Sequence, residues 1–298
     1  MRVNEAEQFV LCAQKELNKW WIFGKPDYDM VADNYGKAAN CFRLNKRYHA
    51  CIEHHNLSAD YHLKCNNDNE ALHQYSEMID VLSLLHYNSD SSNVGSMSKF
   101  DKSRYLDQID VYNKMLVLYS NGGRFDAINR TNFTIAQLYF ENFDYTMALK
   151  YYDDVVSNTT NNTYYRKSLE SMGKIYHMQD NVADMTKVYS ALCRESRLGG
   201  GAGTGTGTRF YVKASLCNIC NDDIVAVNRL TDEVEKISSV DKDFIETVIQ
   251  SYQANDMSMF MTAIKRYETY YINDDVAVTL LLKIKTKMAT SHDNGNLL

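Results

Sequence analysis

The chain has 298 residues, a formal charge of -6, and a single Pro against 13 Gly. The acidic balance excludes nucleic-acid binding driven by net field, and no window approaches the ~20 consecutive apolar residues of a membrane span. With so few turn formers, helix is expected almost throughout, and the length suffices for a large core or one long solenoid.

A first helix is expected over about Glu5 to Asn18, with Phe9, Val10, Ala13 and Leu17 on its apolar face. Lys19-Trp20-Trp21-Ile22-Phe23-Gly24-Lys25-Pro26 follows as a loop, because Gly24 and Pro26 stop the helix. In the next stretch Tyr28, Val31, Ala32, Tyr35, Ala38, Ala39 and Phe42 recur at steps of three and four, so they form one helical stripe. Small residues within the stripe let a second helix approach closely, and the rings fill the space beside it.

Further helices are expected over about Arg47 to Lys64, Asn69 to Leu85 and Tyr105 to Ser120, with a Ser/Asn-rich flexible loop over Asn88 to Ser98. Phe125 to Phe140, Tyr145 to Val156, Tyr164 to His177 and Val182 to Glu195 follow with short turns between them. The run Gly199 to Thr208 reads as a flexible excursion. Beyond it, helices are expected over about Phe210 to Cys220, Ile224 to Ile237, Phe244 to Ala254, Met259 to Tyr271 and Val276 to Met288, then a polar tail from Ser291 to Leu298.

The stripe of the second helix returns downstream. Tyr145, Ala148, Leu149 and Tyr152 repeat it, as do Val182, Met185 and Tyr189 with Ala183 beside them. Ala148 and Ala183 lie about one tetratricopeptide-type period of ~34 residues apart. A single hairpin of this kind cannot bury its own stripe, so the fold class is all-α: a tetratricopeptide-like right-handed α-solenoid of antiparallel hairpins. The hairpin sheet is placed at about 1–195 and a C-terminal helical bundle at 209–290.

Little in the chain carries chemistry. The Gly-rich run lacks the Gly-Lys-Ser/Thr ending of a phosphate loop. Cys217 and Cys220 form a lone CxxC inside a helix, without a second ligand pair or a βαβ setting. His54 and His55, near Cys51 and His62, resemble a ligand cluster in sequence, but adjacent helical residues point in different directions. There is no nucleophile-base-orienter set. A non-catalytic protein with no cofactor and no metal is expected. Seven scattered Cys and no leader-like start point to a reducing, cytoplasmic setting.

Two features carry more. Trp20, Trp21, Ile22 and Phe23, bracketed by Lys19 and Lys25, suit insertion at a bilayer interface, or else tuck between the first two helices as core. Lys46, Arg47, Arg124, Arg130, Arg166, Lys167, Arg209 and Lys213 fall at helix starts and possible inner positions. As a row along a stack they would match an acidic, elongated partner; as an ordinary solvated surface they would match nothing.

These residues resemble a known family, the soluble NSF attachment proteins (SNAPs). Lys25-Pro26-Asp27-Tyr28-Asp29, Ala32, Tyr35-Gly36-Lys37-Ala38-Ala39 and Phe42 are similar to the second helix of γ-type members. Gly123-Arg124-Phe125, Lys213-Ala214-Ser215-Leu216-Cys217 and Leu281-Leu282-Lys283-Ile284-Lys285 resemble α-type members. The resemblance implies an adaptor that holds the four-helix SNARE complex on a concave face and recruits the hexameric ATPase NSF for SNARE disassembly. It puts SNARE contacts at Arg124, Arg130, Arg166 and Lys167, and membrane attachment at Trp20, Trp21, Ile22 and Phe23. It puts NSF contacts at Asp222, Leu297 and Leu298; Asp223 and Asp256 join them on charge alone.

The acidic cluster of α-type members is here Gln250, Gln253 and Ala254, and the tail His292-Asp293-Asn294-Gly295-Asn296 is less acidic than theirs. The resemblance therefore favours a γ-like or divergent member, peripheral on the cytosolic face of membranes. The alternative from another class is a generic tetratricopeptide-like scaffold that grips a peptide outside membrane fusion.

Overall fold

A computed structural model of the chain describes residues 2–19, 24–90, 99–158, 163–198, 206–234, 237–271 and 274–295. Every regular element among them is an α-helix: α1 (Arg2–Asn18), α2 (Tyr28–Leu44), α3 (Tyr48–Lys64), α4 (Asp68–Asp90), α5 (Lys99–Asn121), α6 (Phe125–Glu141), α7 (Tyr145–Asn158), α8 (Thr163–Met178), α9 (Val182–Leu198), α10 (Thr206–Cys220), α11 (Ile224–Glu233), α12 (Ser239–Gln253), α13 (Met257–Tyr271) and α14 (Asp275–Gly295). The all-α class and the helix-hairpin packing are as expected. No helix among the described residues is long and apolar enough to cross a membrane.

Several boundaries differ from the sequence reading: α5 starts at Lys99 rather than Tyr105, α11 stops at Glu233 rather than Ile237, and α12 starts at Ser239 rather than Phe244. α4 continues to Asp90, α10 starts at Thr206 inside the expected Gly/Thr excursion, and α14 takes up most of the expected tail by running to Gly295. Of the two expected flexible segments, 91–98 and 199–205 lie outside the described residues.

One turn recurs. The residue just past a helix takes a positive φ at Lys46, Asn66, Gly123, Phe143, Asp180, Asp222 and Asn255. Each time, two backbone N–H groups return to the preceding helix. Lys46 N–H donates to the Arg43 carbonyl at 3.0 Å and Arg47 N–H to that of Phe42 at 2.9 Å; Asp222 and Asp223 do the same to Ile219 and Asn218 at 3.0 and 2.9 Å. These bonds satisfy carbonyls that the helix end leaves orphaned. Three of the helices that follow open on a side-chain cap: Asn181 accepts from Asp184 N–H at 3.2 Å, and Asp223 from Ala226 N–H and Asp256 from Met259 N–H, both at 2.9 Å, whereas the N-caps Arg47 and Arg124 make no such bond.

The chain divides into two compact units, Met1–Asp144 and Tyr145–Leu298. In the first, the stripe of α2 is buried as its period requires: Val31, Ala32, Tyr35, Ala38, Ala39 and Phe42 are buried and Tyr28 is half-buried. α3 meets it with small residues: Cys51 packs with Ala38, Ala39 and Phe42, and the Ser58 hydroxyl donates to the Ala32 carbonyl at 2.8 Å. Rings from the two helices alternate along the seam. Tyr28, Tyr61, Tyr35, His54 and Phe42 follow one another at centroid separations of 5.7, 5.8, 5.9 and 4.9 Å.

The ring positions on each helix are one heptad apart, so the antiparallel pair stays in register along its length. Lys64 lies 4.1 Å from the Tyr61 ring centre and Arg47 lies 5.0 Å from that of Phe42, a cation at each end of the series.

Alternate helices of this unit are neighbours in one layer. Arg43 of α2 reaches Glu77 of α4 at 2.6 Å, and Lys114 of α5 reaches Asn56 of α3 at 2.7 Å. Ala59, Leu72, Tyr75, Met78, Leu82, Val111 and Met115 then form a core across α3, α4 and α5.

In the second unit, Gly173 of α8 brings the backbone against α9: a Cβ there would stand 3.0 Å from the ring and hydroxyl of Tyr189. Met185, Val188 and Tyr189 of α9 are buried, but Ala183 is exposed. The repeat therefore aligns Ala148 with Met185, and Ala183 lies on the opposite side, because the two helices begin at Tyr145 and Val182. α10 is buried on all sides, from Tyr211 through Cys220 apart from half-buried Lys213, as befits a helix surrounded by others.

Candidate partner-binding surfaces

Arg124 is the first of the expected contact residues. It stands at the N-cap of α6, exposed, and its Nη2 donates to Asn69 Oδ1 at 2.6 Å near the start of α4. The side chain thus ties together two turns on the same edge of the first unit. Arg130 is exposed on α6, about 9 Å further along at 1.5 Å per residue. It makes no ion pair among the described residues. Its exposed strip on α6 also carries Asp126, Gln137 and Glu141, so the surface there is mixed in sign.

The same unit has a second surface that the sequence reading missed. Glu53 of α3 and Asp107 and Asp110 of α5 line a groove of about 470 Å³ floored by Met78 and Leu82. Burial, then the charge of Asp110, holds the Asp107 carboxyl above its usual range. The groove is anionic, whereas Arg124 and Arg130 belong to the layer of α4 and α6.

In the second unit Arg166 and Lys167 are adjacent on α8 but face differently. Arg166 is half-buried and its Nε donates to Glu195 of α9 at 3.0 Å. Lys167 is exposed, with no ion pair among the described residues. Of the remaining cations, Lys213 is spent inside the unit: it pairs with Asp274 at 3.1 Å and lies 5.4 Å from the Tyr189 ring. Lys46, Arg47 and Arg209 are exposed.

Asp222 occupies the positive-φ position after α10. The Tyr252 hydroxyl of α12 donates to its carboxylate, and Lys287 of α14 donates to the other carboxylate oxygen at 2.7 Å. Those two bonds, Lys287 first, hold the Asp222 carboxyl below the usual carboxylate range. Lys283, one turn back on α14, reaches Asp180 at 2.6 Å, so two turns of the unit fasten the same helix. Asp223 and Asp256 are the helix caps already described. Trp20, Trp21, Ile22, Phe23, Leu297 and Leu298 lie outside the described residues.

The motifs suspected of chemistry are structural. Cys217 and Cys220 are both free and buried; burial pushes both thiols up, that of Cys220 to about 11, and so suppresses the reactive thiolate. His54 Nδ1 bonds the Ala50 carbonyl at 2.7 Å, while His55 Nδ1 meets Gln74 Oε1 at 2.7 Å on a different side of α3. No group of metal-binding side chains occurs among the described residues.

Against known proteins, the family model described as "Soluble NSF attachment protein, SNAP" matches residues 4–289. The chain is 21% identical to the alpha-soluble NSF attachment protein of Vitis vinifera, covering 95% of this chain and 94% of that protein. It is 20% identical to the protein of that name from Mus musculus, over 88% and 85% of the two chains. With its namesake from Saccharomyces cerevisiae it shares 21% identity over 90% and 88%.

Proposed function

The chain belongs to the soluble NSF attachment protein family, and from that premise we propose that it is an adaptor, without catalysis of its own, between SNARE complexes and the hexameric ATPase NSF. The observation that carries this reading is the extent of the family match, residues 4–289, which takes in both compact units. Each unit contributes cations to an acidic, rod-shaped ligand. Arg124 and Arg130 serve in the first; Lys167 serves in the second, with Arg166 orienting itself on Glu195. Long-range attraction brings the ligand in, and it weakens with salt.

NSF docks at the C-terminal part, where Asp222 and the last residues Leu297 and Leu298 are offered to it. ATP hydrolysis belongs to the partner. Trp20, Trp21, Ile22 and Phe23 hold the adaptor peripherally on the cytosolic membrane face, which raises its concentration near membrane-anchored SNAREs. The gap left by Gln250, Gln253 and Ala254 weakens NSF docking relative to α-type relatives.

The test is SNARE-complex disassembly by NSF and ATP with and without the full chain. ATP-dependent loss of the complex only when the chain is present is the expected result. No disassembly, with retained capture of an extended peptide, returns the chain to the class of generic peptide-binding scaffolds.

A further inference from the structure

α13 and α14 are joined by a three-residue connection and run back along one another, but over part of their length they stand apart. The gap is a groove of about 990 Å³ within the second unit. Val212 of α10 and Phe244 of α12 lie at its base; Met261 and Ile264 line one wall, Val278 and Leu282 the other. Val278 and Leu282 are 51% and 61% exposed, and Met261 is 40% exposed. Removing apolar side chains from water is favourable in proportion to the area covered, so this uncovered group favours an occupant.

The charge at the rim is specific. Lys265 and Lys285 line the groove, and neither makes an ion pair among the described residues. Their neighbours Lys283 and Lys287 on α14 are both committed, to Asp180 and Asp222. Glu268 is the one carboxylate in the lining. Along the helix axes Lys285 lies roughly 6 Å farther from the connection than Lys265, at 1.5 Å per residue, about one helical turn.

The walls also decide the form of the ligand. Both are helices, whose backbone bonds are internal, so an extended peptide would bury its own N–H and C=O groups without partners. A helix satisfies its own. Met261 and Lys265 on one wall, and Val278 and Leu282 on the other, are spaced by four residues, the ridges that interlock with a third helix. We propose that this groove docks an amphipathic helix of a partner protein, aliphatic on one face and carrying two carboxylates one turn apart for Lys265 and Lys285. The site does not depend on the adaptor reading.

The test uses a labelled synthetic helix of about five turns with Leu at i, i+3, i+4 and i+7 and two flanking Glu. A second peptide has Lys in place of both Glu. Anisotropy with the full chain is expected to show at least ten-fold tighter binding of the Glu peptide. Leu282→Glu, at an exposed position that leaves the fold intact by circular dichroism, removes that binding. The pair Lys265→Glu and Lys285→Glu inverts the preference between the peptides.

Equal binding of both peptides, or binding indifferent to Leu282→Glu, overturns the proposal. So does self-association of the full chain that Leu282→Glu abolishes, which assigns the groove to a second copy. Saturable fatty-acid uptake lost in the same variant, without peptide binding, assigns it to lipid.

Discussion

Among the cations of the chain, commitment matters more than count. Arg166 and Lys213 are held by Glu195 and Asp274, whereas Arg130 and Lys167 face water. Replacing Arg124, Arg130 and Lys167 together by Glu is expected to weaken SNARE-complex capture about ten-fold or more and to flatten its dependence on salt. Arg166→Glu instead costs about 1 kcal/mol of stability through the broken pair. A pull-down across salt concentrations, beside urea denaturation, separates the two effects; unchanged capture by the triple variant removes these residues from the interface.

His55 provides a pH readout. It is buried between Gln74 and a surrounding that includes Glu77, Arg43 and His73, and burial lowers its pKa from 6.5. Its Nδ1 is bonded, but Nε2 has no partner among the described residues, so a second proton would create an orphan donor. Between the lowered folded value and the unfolded 6.5, the unfolded chain binds more protons. Stability is therefore full above about pH 6.5 and falls as pH drops towards the folded value. Urea midpoints measured from about pH 7.5 to about pH 5 are expected to fall less steeply in His55→Gln; an identical slope would exclude His55 as the source.

At the scale of elements, close approach is set by two glycines that look alike in sequence. Gly173→Ala would drive a Cβ to 3.0 Å from the buried ring of Tyr189. Overpacking of this kind costs about 1–3 kcal/mol, more than the up to ~1 kcal/mol that Ala adds to helix propensity, so net destabilisation is expected. Gly36→Ala meets the Ser58 hydroxyl at 3.3 Å and the Gln74 amide at an ordinary 3.6 Å, a smaller clash that propensity roughly offsets. Denaturant titration of the two variants checks the order, and equal stabilities would show that α8 and α9 separate freely.

The turns explain why helix ends were harder to read than helix faces. Of the seven positive-φ turn residues, Gly123 alone is glycine; Lys46, Phe143 and Asp222 accept a conformation that costs an L-residue roughly 1–2 kcal/mol. A search for Gly after a helix therefore finds one turn in seven.

For the whole molecule, the family match over residues 4–289 takes in both compact units. Deleting Leu297 and Leu298 is expected to leave SNARE binding intact while lowering stimulation of NSF ATPase activity. Replacing Trp20, Trp21 and Phe23 by Ser is expected to reduce liposome flotation without loss of SNARE binding. Coupled ATPase and flotation measurements check both, and a tail deletion that stimulates as well as the intact chain would move NSF docking elsewhere.

The sequence alone determined that the chain is helical, which face of α2 is buried, and to which family it belongs. Each of these is written in local spacing: Val31, Tyr35, Ala38 and Phe42 share a face whatever the rest of the chain does. Tertiary structure decided which charges are already spent, that Gly173 makes room for Tyr189, and that Met185 rather than Ala183 answers Ala148. It also opened the groove beside Leu282 and placed Asp222 beneath Lys287 and Tyr252. The physical reason is that an ion pair or a gap depends on which helices become neighbours, and residues as far apart as Asp180 and Lys283 carry no mark of each other in the order of the chain.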